Sequence, residues 1–211
     1  NGDYVDFGNP DILNFNHEND FTICLWFKTN SALPSFSLFD KRVSPSPQTG
    51  IHIFFNNGQI GVQLNDQSIN HDFRDFGGDY IDNLWHYLVL TVNSETNLFN
   101  IYVDNENLGT VDISDVDDFS STASWKLGYH IGISYFSGHI DNFVLLDAAL
   151  TQSEIQYYSE IQSYFSTQPT GNESNIVGYW NFNEGSGNIL NDLSGNGNHG
   201  TIHGATWVVR E

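Results

Sequence analysis

Methionine is absent from the 211 residues, and cysteine occurs once, at Cys24, so the chain cannot close an internal disulfide. Lysine and arginine together number six against 26 aspartates and glutamates, which leaves a formal charge of −20. That shortage of cations excludes nucleic acid as a partner, because phosphate binding depends on clustered Lys and Arg. Anionic membrane surfaces are excluded for the same reason. No run approaches the roughly 18 apolar residues of a membrane-crossing helix, so membrane insertion is not expected. The start, Asn1-Gly2-Asp3-Tyr4, is not a signal peptide and reads as the beginning of an excised mature module. What remains is rich in aromatic residues, at 15%, with Phe and Tyr in the majority. Such a composition favours strands. All-β sandwiches reach this length as one unit, so a single domain over residues 1–211 is expected. The acidity suits solubility, cations, neutral glycans and saline surroundings.

Hydrophobic periodicity places the strands. In Phe21 to Lys28 the residues Phe21, Ile23, Leu25 and Phe27 share one face, while Thr22, Cys24, Trp26 and Lys28 share the other. Ile51 to Leu64 reads as two strands joined at Asn56-Asn57-Gly58-Gln59, since Asn-Gly supplies the positive φ angles of a tight hairpin. Trp85 to Val92, Phe99 to Val103 and Leu108 to Ile113 continue the pattern. Ile140, Asn142, Val144 and Leu146 alternate with Asp141, Phe143 and Leu145, and both faces read as covered. Thr151-Gln152-Ser153-Glu154 is a capping box. Ile155, Tyr158, Ile161, Gln162 and Phe165 follow at helical spacing, so one short helix is expected near 151–165. Beyond the polar stretch 168–174, Val177 to Phe182 and Ile202 to Val208 read as strands around a loop dense in Gly, Asn and Ser.

Several segments, in this order, resemble the laminin-G-like domains of the concanavalin A-like lectin/glucanase superfamily. They are Gly2-Asp3-Tyr4-Val5-Asp6-Phe7, Phe21 to Phe27, Leu84-Trp85-His86-Tyr87, Tyr102-Val103-Asp104, and Phe136 to Phe143. Ala149 to Ile155 matches the strand-to-helix ending of such domains, and Trp180 to Gly187 with Asp192 to Asn198 matches their Gly/Asn-rich block. The resemblance implies an all-β, two-sheet antiparallel jelly-roll sandwich, secreted to the cell surface within a larger multidomain protein. In many relatives the Gly/Asn-rich block precedes the Gly-Asp-Tyr-Val element, whereas here it follows the rest. Either the block 176–209 completes the same sandwich as a circular permutation, which is the expectation adopted, or it opens a second repeat.

A fold of this kind also hosts hydrolases and lyases, so chemistry has to be read from residues. The glucanase run Glu-x-Asp-x-x-Glu is missing, and Asp115-Val116-Asp117-Asp118 lacks a third acid. No arginine sits beside a Tyr or His base as a uronate lyase requires, and His86 reads as a structural strand residue. The expectation is therefore a non-catalytic, lectin-like carbohydrate-binding module stabilised by calcium, with a protein-interaction, adhesion or spacer module of a larger cell-surface protein as the alternative and glycoside hydrolase or polysaccharide lyase activity weaker still. Calcium takes several oxygen ligands held in Gly-bent loops. The resemblance implies Asp192, Asn196 and Asn198 as structural calcium ligands, with Asp141 and Glu184, and a chain of Asx turns is the alternative reading. Glycan recognition needs aromatic faces beside hydrogen-bonding groups on rim loops. Asp40-Lys41-Arg42, His71 to Phe76 and Trp125 to Tyr135 offer them, with His71, Phe73, Arg74, Tyr129 and Tyr135 as candidate contacts. The partner is expected to be a glycan or an extracellular protein.

Overall fold

Alternation in the first long apolar run becomes strand β2 (Phe21–Lys28), whose faces separate as the sequence predicts. Phe21, Ile23, Leu25 and Phe27 enter the main core, while Cys24 and Trp26 turn to a second, smaller cluster. The computed structural model describes residues 2–209 apart from 32, 34, 45–47, 69, 131–133 and 164–173. Strand β2 lies inside a six-stranded antiparallel sheet. Its order is β14 (Ile176–Trp180), β13 (His139–Leu146), β2, β7 (Trp85–Asn93), β8 (Leu98–Val103) and β9 (Glu106–Asp112).

An eight-stranded sheet packs against it. Its order is β15 (Ile189–Leu190), β16 (Gly200–His203), β1 (Tyr4–Asp6), β10 (Lys126–Leu127), β3 (Ser35–Asp40), β4 (Gly50–Asn56), β5 (Gln59–Asn65) and β6 (Asn70–Phe76). A short ribbon of β11 (Tyr129–His130) and β12 (Ser134–Tyr135) lies beside β3. The result is an antiparallel two-sheet sandwich with one short helix. Between β4 and β5 the turn residues Asn57 and Gly58 have φ of 50° and 87°, the mirror-image turn that matches strand twist.

Aromatic side chains fill the space between the sheets. Trp125 is wholly buried and donates its indole N–H to Leu13 O at 2.8 Å. Trp180, also wholly buried, stacks on Phe143 at 5.1 Å and donates to Asn198 O at 2.9 Å. Each such ring contributes more than about 2 kcal/mol through burial, and its one polar atom is satisfied. Trp180 belongs to β14, so the 176–209 block shares the main core: β14 pairs with β13, and β16 pairs with β1. Trp207 is half-buried against the same core, its indole N–H bonded to Gly187 O at 2.9 Å.

The helix α1 (Gln152–Ser163) covers the outer face of the six-stranded sheet. Its capping box is formed: the Thr151 N–H donates to Glu154 Oε2 at 2.8 Å, and the Glu154 N–H reaches Thr151 Oγ1 at 3.4 Å. Ile155 and Tyr158 meet Cys24, Tyr87, Val144 and Tyr179. Burial pushes the Cys24 thiol up to about 12, so it stays protonated and inert. The side chains of Ile161, Gln162 and Phe165 lie outside the described residues.

Local backbone geometry departs from simple periodicity in two places. In β13 a bulge between Asp141 and Val144, with Asn142 at φ 47°, reverses the alternation. Ile140 therefore lies on the side of Phe143 and Leu145, against the main core, rather than with Val144 and Leu146. The strand expected over Ile202 to Val208 ends at His203, where Gly204 turns the chain with φ 74°.

Part of the acidity is taken up by turns. The carboxylates of Asp6, Asp66, Asp79, Asp82, Asp112, Asp118 and Asp192 each accept the N–H of the residue two positions on. His86 on β7 joins the Asp82 turn to Asp104: its Nδ1 lies 2.7 Å from Asp104 Oδ2 and its Nε2 3.0 Å from Asp82 Oδ1. Donating to Asp104, and then to Asp82, raises the imidazole above its ordinary value against the pull of burial. A raised folded-state value means that the clamp stabilises fully below the unfolded value of about 6.5 and is lost as pH rises through the folded value. In urea melts, the wild type should lose up to about 1 kcal/mol between pH 6 and 9 relative to His86→Gln, since both carboxylates are solvent-screened. Identical pH slopes for the two proteins would show that the clamp does not titrate.

Candidate functional site

The inner faces of both sheets are sealed by the core, so the outer face of the eight-stranded sheet is where polar side chains gather. A row of directly opposed residues crosses it strand by strand: Thr201, Asp6, Lys126, Asp40, His52, Gln63 and Asp72. Alternation sends their neighbours Val5, Leu127, Phe39, Ile53 and Val62 into the core.

Around the middle of this row the polar groups are locked together. Arg42 places Nε 3.0 Å from Asp40 Oδ1 and Nη2 3.1 Å from Asp40 Oδ2, a bidentate pair, and its Nη1 reaches the side-chain oxygens of Gln63 and Gln48. His52 continues the network, with Nδ1 3.1 Å from Gln63 Oε1 and Nε2 3.0 Å from Ser37 Oγ. The Ser37 hydroxyl donates to the Tyr129 carbonyl at 2.9 Å and so ties β11 to β3. Phe54 stacks on His52 at 4.9 Å and lies across Gly61, where any Cβ would fall 2.3 Å from the ring. Asp40, Arg42 and His52 are all buried by this packing.

Next to the network is an open depression of about 250 Å³, lined by Asp40, Arg42, Val43, Ser44, Thr122, Ala123, Ser124, Lys126 and Tyr129. Its rim is fastened from below by Lys41. That ammonium is buried and sits 2.8 Å from Asn9 Oδ1, 3.1 Å from Asn14 Oδ1, 2.6 Å from Ser121 O and 3.3 Å from Ala123 O. Desolvation lowers it to about 8, still charged at neutral pH, and four oxygens meet the charge. Lys41 thereby holds the 121–124 segment in place at one edge of the depression. At the other edge Lys126 lies over the Tyr129 ring at 4.3 Å and the Tyr4 ring at 5.7 Å. Tyr4 in turn stacks on His203 at 4.5 Å, and Tyr129 meets Tyr135 edge-on at 5.7 Å.

Of the five candidate glycan contacts, the structure brings Tyr129 and Tyr135 together here and sets the other three apart. The segment from His71 to Phe76 belongs to the edge strand β6 rather than to a rim loop. His71 is buried, with Nε2 3.1 Å from Asp66 Oδ2, and Phe73 packs against Phe99 at 5.1 Å. Both are inward-facing structural residues. Arg74 lies in β6, and its side chain is outside the described residues. Tyr4, Asp6 and His52 lie outside the segments that the sequence pointed to for glycan contact, and Lys126 lies inside the 125–135 segment without standing out as a candidate contact. A signal existed for two of them, because Tyr4 and Asp6 alternate with the apolar Val5 and Phe7.

Three of the residues implied as calcium ligands, Asp192, Asn196 and Asn198, form a knot with the 177–179 backbone. Asp192 accepts the N–H groups of Tyr179 (3.1 Å), Ser194 (2.9 Å) and Asn198 (2.9 Å). Asn196 and Asn198 each donate Nδ2 to Val177 O at 3.1 Å. Glu184 Oε1 accepts from the main chain and side chain of Asn191, and Asp141 Oδ1 accepts the Asn142 N–H at the β13 bulge. Of the five, Glu184 alone retains a buried oxygen, Oε2, without a partner among the described residues. One such oxygen falls short of the roughly six to eight that calcium takes. The donor set does not fit the ion: N–H groups already aim at the Asp192 carboxylate, and amide nitrogens at the shared carbonyl. The Asx-turn reading accounts for the loop.

An antiparallel two-sheet sandwich, with one outer face sealed by a helix and the other left polar and pre-formed, is the class of protein that this geometry defines. The chain belongs to the concanavalin A-like lectin/glucanases superfamily, whose laminin G family model matches residues 1–156. It is 24% identical over 153 residues to the non-toxic nonhemagglutinin of Paraclostridium bifermentans, covering 72% of this chain and 13% of that protein. Among solved structures, a Bacteroides ovatus protein ascribed a carbohydrate-binding role matches with a TM-score of 0.74 at 14% identity, over 97% of this chain and 56% of its own. The binding domain of botulinum neurotoxin serotype D matches with a TM-score of 0.62 at 18% identity, over 77% of this chain and 41% of its own. The chain thus spans about half or less of these proteins' lengths.

If the knot around Asp192 needs no ion, millimolar calcium and EDTA should leave the melting temperature within about 1 °C of each other. A calcium-dependent rise of several degrees would show that the loop opens to take the ion.

Proposed function

We propose that this chain is a non-catalytic carbohydrate-binding module of a larger extracellular protein, and that it receives glycan in the depression beside Tyr129. The observation that carries this reading is the lining of that depression. It combines hydroxyls of Ser44, Thr122, Ser124 and Tyr129 with the charged pair of Asp40 and Arg42. A polyol needs many directed hydrogen-bonding groups in an open site, and these groups are held by a buried network, so little order has to be created on binding. The fold likeness to the Bacteroides ovatus protein over nearly the whole chain supports the same reading. No helix among the described residues is long and apolar enough to cross a membrane.

A glycan array should show selective retention, and Tyr129→Ala should weaken the best ligand about tenfold while the melting temperature moves by no more than about 2 °C. Unchanged affinity in that variant would place the glycan elsewhere, and silence across the array would transfer the role to a protein partner. Appearance of reducing ends or unsaturated products from array polysaccharides would restore the enzyme reading.

A further inference from the structure

Half of the chain's six basic residues, Lys41, Arg42 and Lys126, converge on this one depression although the protein carries a net charge of −20. Their hydrogen bonding differs sharply. The Lys41 ammonium is surrounded by four oxygens beneath the rim. The Arg42 guanidinium is held by Asp40, Gln48 and Gln63. Lys126 is different: among the described residues its ammonium makes no hydrogen bond. Its nearest acid is Asp6, at 3.8 Å, and that carboxylate is already engaged with the Gly8 N–H through its other oxygen. The side chain is 24% exposed and is steadied instead by the faces of Tyr129 and Tyr4.

Resting on the carbohydrate reading above, we infer that the ligand is a glycan bearing an isolated sugar carboxylate, bound by the unspent N–H donors of Lys126. Cation–π contacts position the ammonium without using those donors, so an incoming carboxylate gains charge-assisted hydrogen bonds at little cost in order. A polyanion is disfavoured. Screening confines electrostatics to about 8 Å at physiological salt, and within that range one carboxylate meets Lys126 while a densely charged chain also meets the acidic surface. The second depression illustrates the contrast, since Asp11, Glu18, Asp20 and Asp147 line it without a basic residue.

The experiment compares calorimetric affinities of 3′-sialyllactose with lactose, cellobiouronic acid with cellobiose, and heparin, for wild type and Lys126→Gln at 0.15 M salt. Wild type should prefer at least one acidic sugar over its neutral partner by about tenfold or more, and whichever pair shows it identifies sialate or uronate as the source. Lys126→Gln, with its fold checked by thermal melting, should bring that ratio to about one, and heparin should not bind. Equal affinity for acidic and neutral partners, a preference that survives Lys126→Gln, or tight heparin binding would each overturn the inference while leaving carbohydrate binding standing. Failure of every sugar to bind would instead remove the carbohydrate reading, and this inference with it.

Discussion

Burial of both faces of the middle strands β2, β7 and β13 is the constraint on which the rest of the molecule depends. Their inner residues meet the eight-stranded sheet across the main core, and their outer residues, Cys24, Tyr87, Val89 and Val144, meet the helix. A helix placed there uses up that outer surface. Among the described residues no helix covers the opposite outer face, where polar residues form a network and a depression. Position of the site follows from which sheet the helix packs on.

Charge scarcity shapes the same face. With six cations for 26 acids, carboxylates cannot be neutralised by ion pairs, and the backbone takes their place through Asx turns and the knot around Asp192. The few cations are then committed one by one. Lys41 serves as an internal cation in an oxygen cage, Arg42 braces Asp40, and Lys126 keeps its donors open. A buried ammonium of this kind does for the 121–124 segment what a bound metal does for loops in other proteins, with the charge supplied by the chain itself.

Much of the fold was legible because alternation and turn chemistry agree locally. β2 coincides with its predicted span, the Asn57-Gly58 turn joins β4 to β5, and the Thr151 capping box opens the helix. Strands β3 and β6 were not legible: β3 carries a bulge between Ser37 and Phe39, and β6 is an edge strand with polar residues on one side and Asp75 at φ 67°. The bulge at Asn142 reversed one face assignment for the same reason, since one inserted residue defeats a period of two. For the site, both segments that border the depression, 40–42 and 125–135, were visible as aromatic and charged stretches. Their meeting was not, because it arises from pairing of β10 with β3, and the contact from Lys41 to Ser121 likewise joins residues 80 apart in sequence. His71 and Phe73 offered the same composition and proved to be core-facing.

The claim that the outer face of the eight-stranded sheet is the binding surface is tested most directly by amide chemical-shift mapping during titration with the tightest glycan. Perturbations should cluster on Tyr4, Asp6, residues 122–129 and Asp40 to Ser44. Perturbations confined to the Gly/Asn-rich loop 183–198, or to the helix side of the six-stranded sheet, would contradict it.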